Sequence, residues 1–301
     1  MSSTHNLLQK LRARELFKNA KPVFEALQGN YALVKGEALS KQIYGIEGMR
    51  QSADIDVLIP RQQLKEAERI LTENGFFCAS SSRADRIELL TGSHQIMPWV
   101  KDCYPFGQTV FDLNFDIFWG EYEGKHVDMA SFLSDVAEMN IYGARIKVLP
   151  PCKAVIQLVL HHYKDLNSIY LLAIGKRIEA KKFKDIYDLL TAYQDLISPD
   201  ELYGMSKAFD VVPYLYYVFY YTNQCFPCSL LAQYVEAFYC SEGEALLDCF
   251  GLCSKERKRW RSDFSARLKE ENPYSLIVDD LEQEDFDKIK WNQRIFGGQC
   301  E

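Results

Sequence analysis

The spacing of apolar residues changes period several times along the first half of the chain. Leu7, Leu8, Leu11, Leu16, Phe17, Val23, Phe24 and Leu27 recur at helical spacing, which predicts one or two amphipathic helices over residues 5–28. Tyr31 to Val34 is a short apolar run ending in Lys35-Gly36, the pattern of a strand closed by a glycine turn. Helical spacing resumes from Glu37 to Tyr44 and is broken by Gly45 and Gly48. Asp54 to Ile59 is predicted as a second strand, stopped by Pro60. Arg61 to Asn74 carries Leu64, Ala67, Ile70 and Leu71 on one helical face, with Gly75 placed as a C-terminal cap. Phe76 to Ala79, Arg86 to Leu90, His94 to Lys101 and Thr109 to Phe118 read as further strands. Ile141 to Leu149 is one more alternating segment, closed by Pro150-Pro151.

After those prolines the period becomes helical. Cys152 to Tyr163, Lys184 to Leu196, Asp200 to Ala208, Pro213 to Asn223, Ser229 to Leu247 and Cys253 to Leu268 all favour helix. The fold class is therefore α+β: a mixed sheet flanked by helices over residues 1–150, then an α-helical domain over 151–301. Val211 to Thr222 is the most membrane-like stretch, but it is short, tyrosine-rich and interrupted by Pro213, well under the roughly 20 residues a span requires. It reads as a buried aromatic helix.

A chain of 301 residues suggests two domains, and 48% apolar residues suffice to build a core in each. The net charge of −7 is spread without a basic arm, which argues against a protein whose main affinity is for nucleic-acid backbone. The N-terminus scatters charges through an amphipathic pattern and is not expected to be a signal peptide. Nine cysteines, an odd number, then point to reduced thiols in the cytoplasm. Cys225, Cys228, Cys240, Cys249 and Cys253 fit no standard zinc-finger or ribbon spacing, and buried thiols are the expected reading.

Chemistry concentrates on two strands. Side chains one residue apart in sequence alternate faces, so Asp54 and Asp56 share one face with Ile55 on the other. Two adjacent carboxylates repel, and a divalent cation holds them together most readily; carboxylate oxygens suit Mg²⁺ (or Mn²⁺), bound jointly with substrate phosphates. Asp112, Asn114 and Asp116 alternate in the same way with Phe111, Leu113, Phe115 and Ile117. Pairing of the two strands would bring Asp112 beside Asp54 and Asp56, giving the third acid that a two-metal site needs.

Lys35-Gly36, Leu39, Tyr44, Arg50, Asp54-Ile55-Asp56 with Val57-Leu58-Ile59, Gly75-Phe76 and Asp112-Leu113-Asn114-Phe115 together resemble the uncharacterised bacterial nucleotidyltransferases of the DNA polymerase β-like superfamily. The resemblance spans roughly residues 31–120 and continues more weakly into the helical half. It implies metal-dependent transfer of a nucleoside monophosphate from a nucleoside triphosphate to a hydroxyl-bearing acceptor: a small molecule, a tRNA or a protein. Asp54, Asp56 and Asp112 would be catalytic and bind the metal. Lys35, Gly36 and Arg50 would meet the phosphates, Gly36 because it brings no Cβ against them. In the helical half, Lys184-Asp185-Ile186-Tyr187-Asp188 resembles a segment of related transferases. Asp185 and Lys153 are accordingly expected at the nucleotide, with the helical domain serving as an acceptor- and nucleotide-binding lid. The chain departs from the family at Glu37, where a small residue commonly follows the glycine, and at Asn114, where a histidine is common. A relative that binds nucleotide or a protein partner without catalysis is the alternative those two positions leave open.

The remaining polar features read as structural. Asp116 is expected beside the site or exposed, and His94 as a hydrogen-bonding residue. Adjacent helix positions point about 100° apart, so His161 and His162 are not expected to share one ion. The aromatic run Tyr214 to Tyr221 is expected in the core. The basic groups Lys176-Arg177, Lys181-Lys182 and Lys255 to Arg261 are interspersed with acids and read as solvated helix faces.

Overall fold

A computed structural model describes residues 3–50, 54–78, 82–119 and 126–296 of the chain. The described residues fall into two compact units, 3–119 with 126–154, and 155–296. The division lies a few residues into a helix that begins at Pro151.

The first unit is built on one mixed seven-stranded sheet. Helix α1 (Ser3–Ala26) leads into β1 (Ala32–Val34), α2 (Gly36–Tyr44), β2 (Asp54–Leu58), α3 (Leu64–Glu73) and β3 (Phe77–Cys78). Then come α4 (Arg83–Gly92), β4 (Trp99–Asp102), β5 (Gln108–Asn114), α5 (Met129–Phe132), β6 (Ala137–Ile141) and β7 (Ala144–Val148). The strand order is β3-β4-β5-β2-β1-β7-β6. β2 lies antiparallel to β1 and parallel to β5. In the β2–β5 ladder Ile55 faces Phe111 and Asp56 faces Asp112 across the strands. Ile55, Val57, Phe111 and Leu113 turn to one face, where α1 covers them with Phe17, Ala20, Val23 and Phe24. Strand alternation leaves Asp54, Asp56 and Asp112 on the opposite face. Burying a side chain such as Phe111, which is wholly covered, contributes about 1.5–3 kcal/mol, and the same burial fixes which face carries the acids.

Local signals explain the element ends. α3 closes as anticipated at Gly75 (φ +78), with the Phe76 amide donating to the Leu71 carbonyl and the Gly75 amide to Thr72. β5 stops at Asn114, short of the strand expected to Phe118, because Asp116 turns the chain by accepting a hydrogen bond from the Phe118 amide at 3.0 Å. Arg86 to Leu90 is helix rather than strand. Ser82 and Asp85 form a reciprocal capping box at the start of α4, and the Arg86 side chain pairs with Glu68 of α3. Residues 141–149 are not one strand: Tyr142 and Gly143 both adopt positive φ, +48° and +78°, and turn the chain between β6 and β7 as a two-residue hairpin.

The second unit is helical. It holds most of α6 (Pro151–Asn167), then α7 (Ile169–Ala173), α8 (Ala180–Ala192), α9 (Pro199–Ala208), α10 (Val212–Cys225), α11 (Ser229–Phe238) and α12 (Ser241–Leu246). A two-stranded hairpin of β8 (Cys249–Phe250) and β9 (Lys258–Arg259) replaces the helix expected over Cys253 to Leu268. α13 (Phe264–Lys269), capped by Asp263, two short 3-10 turns and α14 (Gln283–Phe296) follow. Tyr214, Tyr217 and Phe219 of α10 are buried, and Tyr163 packs edge-on against Tyr214 and Tyr217. None of the described helices is long and apolar enough to cross a membrane.

Candidate active site

Parallel pairing of β2 with β5 gathers the three acids. One carboxylate oxygen from each of Asp54, Asp56 and Asp112 lies within 4.8 Å of the others. Asp54 is exposed, Asp112 half-buried and Asp56 buried. An all-oxygen donor set of this charge and spacing fits a hard divalent cation such as Mg²⁺ or Mn²⁺. Among the described residues this is the one group of three or more His, Cys, Asp or Glu side chains arranged to hold a metal ion. The cysteines do other work: Cys228 and Cys240 cap α11 and α12, and burial pushes the Cys225 thiol up to about 11.

Lys35 stands at the junction of β1 and α2, with its ammonium 2.7 Å from Asp56 Oδ1. Its backbone sits at φ +56, ψ −152, a region that ordinary residues occupy at a cost of about 1–3 kcal/mol. Gly36, the next residue, also has positive φ and opens α2. Asn114 donates toward the same Asp56 oxygen at 3.5 Å and toward the Asp112 carbonyl at 3.4 Å. The position that departs from the family histidine thus still touches the acid cluster, as a donor.

Glu37 is engaged by the loop that follows α2 and by the β6–β7 turn. Its Oε2 accepts from the Gly48 amide at 2.8 Å, Tyr142 donates to it through the side chain, and burial raises its pKa above the ordinary glutamate range. Neighbouring contacts hold the same 45–50 loop: Ser40 Oγ donates to the Ile46 carbonyl and accepts from the Met49 amide, and Lys41 pairs with Glu47. Arg50 ends this loop, half-buried; the next three residues, including Ser52 and Ala53 ahead of the Asp-x-Asp strand, lie outside the described residues. A reading of local sequence misses this anchor, because the Tyr142-Gly143 turn that supplies one of its partners is distant in sequence.

The other named residues occupy separate surroundings. Lys153 is buried near the start of α6, where it pairs with Asp135 and donates to the Phe132 carbonyl at 2.8 Å. Asp185 lies in the second unit, its Oδ2 3.6 Å from His162 Nε2. His161 turns instead to Asp165, so the two histidines address different carboxylates. Burial holds the pKa of His162 below the usual histidine value despite the nearby Asp185. Of the basic groups expected on solvated faces, Lys176, Arg177 and Lys181 are exposed, but Lys182 of α8 is buried and pairs with Asp165 at 2.6 Å, which Lys176 also reaches at 2.9 Å. Asp116 is buried, with Oδ2 2.9 Å from His126 Nδ1. His94 accepts from the Phe115 amide through its carbonyl, continuing the sheet edge.

The profile of the family described as uncharacterised nucleotidyltransferase matches residues 2–227, which include the acid cluster, Lys35 and the first helices of the second unit. The chain belongs to that family. No curated protein matches the sequence. Among solved structures, this nucleotidyltransferase-family chain is similar to the solution structure of the antibiotic-resistance factor ANT(2'')-Ia, at 13% identity and TM-score 0.35 over 68% of this chain and 92% of that one. A crystal structure of an antigenic nucleotidyltransferase-like protein from Paracoccidioides brasiliensis gives 16% identity and TM-score 0.31 over 70% and 94% of the respective chains.

Proposed function

We propose that this member of the nucleotidyltransferase family is a cytoplasmic, metal-dependent enzyme that moves a nucleoside monophosphate from a nucleoside triphosphate to an acceptor hydroxyl. The observation that carries the reading is the convergence of Asp54, Asp56 and Asp112 within 4.8 Å beside a lysine ammonium. The three carboxylates would hold Mg²⁺ or Mn²⁺, which when bound neutralises charge on the attacking and leaving oxygens. Asp112 would take the proton of the acceptor hydroxyl through its carboxylate. Lys35 and Arg50 would orient the triphosphate and offset its charge, and Gly36 would let the backbone approach it. Lys153 and Asp185 are assigned to nucleotide contacts, and residues 151–301 to an acceptor- and nucleotide-binding role. The departure at Glu37 does not weigh against catalysis, because that carboxylate is engaged by Gly48 and Tyr142. The acceptor class, whether small molecule, tRNA or protein, is left to experiment.

Incubation with each α-³²P-labelled nucleoside triphosphate, Mg²⁺ or Mn²⁺, and acceptors that include cell lysate tests the proposal. Label transfer that needs metal and is lost in the double variant Asp54→Asn/Asp56→Asn is the expected result. Nucleotide binding without transfer to any acceptor would instead favour a binding module. Transfer of γ-label would point to a kinase.

A further inference from the structure

Asp56, the buried member of the acid cluster, already has one oxygen, Oδ1, contacted by two donors: the Lys35 ammonium at 2.7 Å and the Asn114 amide at 3.5 Å. A divalent cation ligated by the same oxygen would sit about 2.0–2.1 Å from it. Ammonium and metal would then be held less than about 5 Å apart on a single buried carboxylate, at a cost set by the repulsion of like charges in a poorly screened setting. The lysine cannot easily withdraw into solvent, since only 18% of its side chain is exposed and its backbone is fixed in an unusual conformation between β1 and α2.

We propose that Lys35 is a counter-ion that gates metal loading: its ammonium neutralises Asp56 until a triphosphate draws it away, and only then do the carboxylates bind a cation tightly. This rests on the metal-and-nucleotide reading given above. Lys35 thereby acts in two successive places, on a carboxylate first and on phosphate oxygens afterwards. Both partners are anionic and accept from an ammonium with similar geometry, so the transfer exchanges one charge-assisted hydrogen bond for another. Metal and nucleotide are then coupled, each strengthening the binding of the other by the same factor. In the absence of nucleotide, the enzyme holds divalent cations weakly.

The test is Mn²⁺ binding to the full chain without nucleotide, read from the electron paramagnetic resonance of free Mn²⁺. Lys35→Gln and Lys35→Met are expected to bind Mn²⁺ about tenfold or more tightly than the wild type, a factor inside the usual range for coupled sites. Lys35→Arg, which keeps the charge, is expected to stay within about threefold of the wild type, and so is Lys41→Gln, which removes a neighbouring positive charge that does not touch Asp56. Unchanged or weaker binding in both Lys35→Gln and Lys35→Met, with binding still lost in Asp56→Asn, would overturn the gating role and leave the metal site standing. An equal gain in Lys41→Gln would overturn it too, by reducing the effect to net charge. Absence of Mn²⁺ binding in every variant would remove the metal reading together with this inference.

Discussion

Replacing Asp112 by asparagine should make the metal-free protein more stable while abolishing its activity. One carboxylate oxygen from each of the three acids lies within 4.8 Å of the others. At that distance two full charges repel by about 3.5 kcal/mol in an effective dielectric of about 20, and by about 0.9 kcal/mol in water. The Asp112–Asp56 pair belongs near the first limit, since Asp56 is buried, but the Lys35 ammonium offsets much of the charge on Asp56. The Asp112–Asp54 pair belongs near the second, because Asp54 is exposed. Removing the charge of Asp112 while keeping its shape should therefore stabilise the first unit by about 1–3 kcal/mol. For a domain of this size that corresponds to a rise in Tm of about 3–8 °C. Calorimetry in low salt with chelator present measures it, and the gain should shrink as salt rises. Saturating Mg²⁺ should raise the Tm of the wild type by mass action and leave the variant unmoved. A variant Tm at or below that of the wild type in chelator, or a salt-independent difference, would refute the electrostatic account.

Glu37→Gln should raise stability at neutral pH, because the amide keeps an acceptor for the Gly48 amide without a buried charge. Burial raises the folded-state pKa of Glu37 above its unfolded value, so wild-type stability falls as pH climbs from about 4.5 through the folded pKa. The advantage of the glutamine should grow over that window and then level off, which denaturant titrations at successive pH values would follow. Glu37→Ala should instead cost about 1–3 kcal/mol by stranding its donors, and should loosen the Arg50 loop in hydrogen exchange. In the second unit, Asp165→Asn should cost about 3–5 kcal/mol at neutral pH, because Lys182 is left buried against a neutral partner. Burial favours protonation of Asp165, but His161, Lys182 and Lys176 outweigh it and hold the pKa well below the usual range. The stabilisation is thus present above about pH 4 and lost as pH falls through the folded value, where the gap between variant and wild type should close.

The acid cluster was legible in the sequence because strand alternation is local: Asp54-Ile55-Asp56 and Asp112-Leu113-Asn114 each declare a polar face without reference to the rest of the chain. That the two strands run parallel was not legible. Their connection spans two helices and two other strands, and pairing across such a stretch is decided by burial on both faces of the sheet. The helix over Arg86 to Leu90 does carry a local signal, since Ser82 and Asp85 stand at capping-box spacing ahead of it. The Tyr142-Gly143 turn is weaker, for a tyrosine at positive φ is uncommon and nothing local announces it. Glu37 was the residue hardest to place. Its helical neighbours suggest a side chain near phosphate, while the structure gives it to a loop and a distant hairpin. Buried polar side chains answer to tertiary partners, and those partners leave no periodic trace.

The pairing of Asp56 with Asp112 separates two kinds of change that a chain of this family can undergo. Everything between β2 and β5, including α3, α4 and the antiparallel β3–β4 pair, can lengthen, shorten or diverge without altering the acid-bearing face, provided the two strands meet in the same register. A single residue inserted between Gln108 and Asp112 does the reverse, turning Asp112 toward the core and an apolar neighbour toward the acid-bearing face. The sheet therefore works as a ruler that reads parity and ignores length, so new segments can be spliced beside the three acids without displacing them.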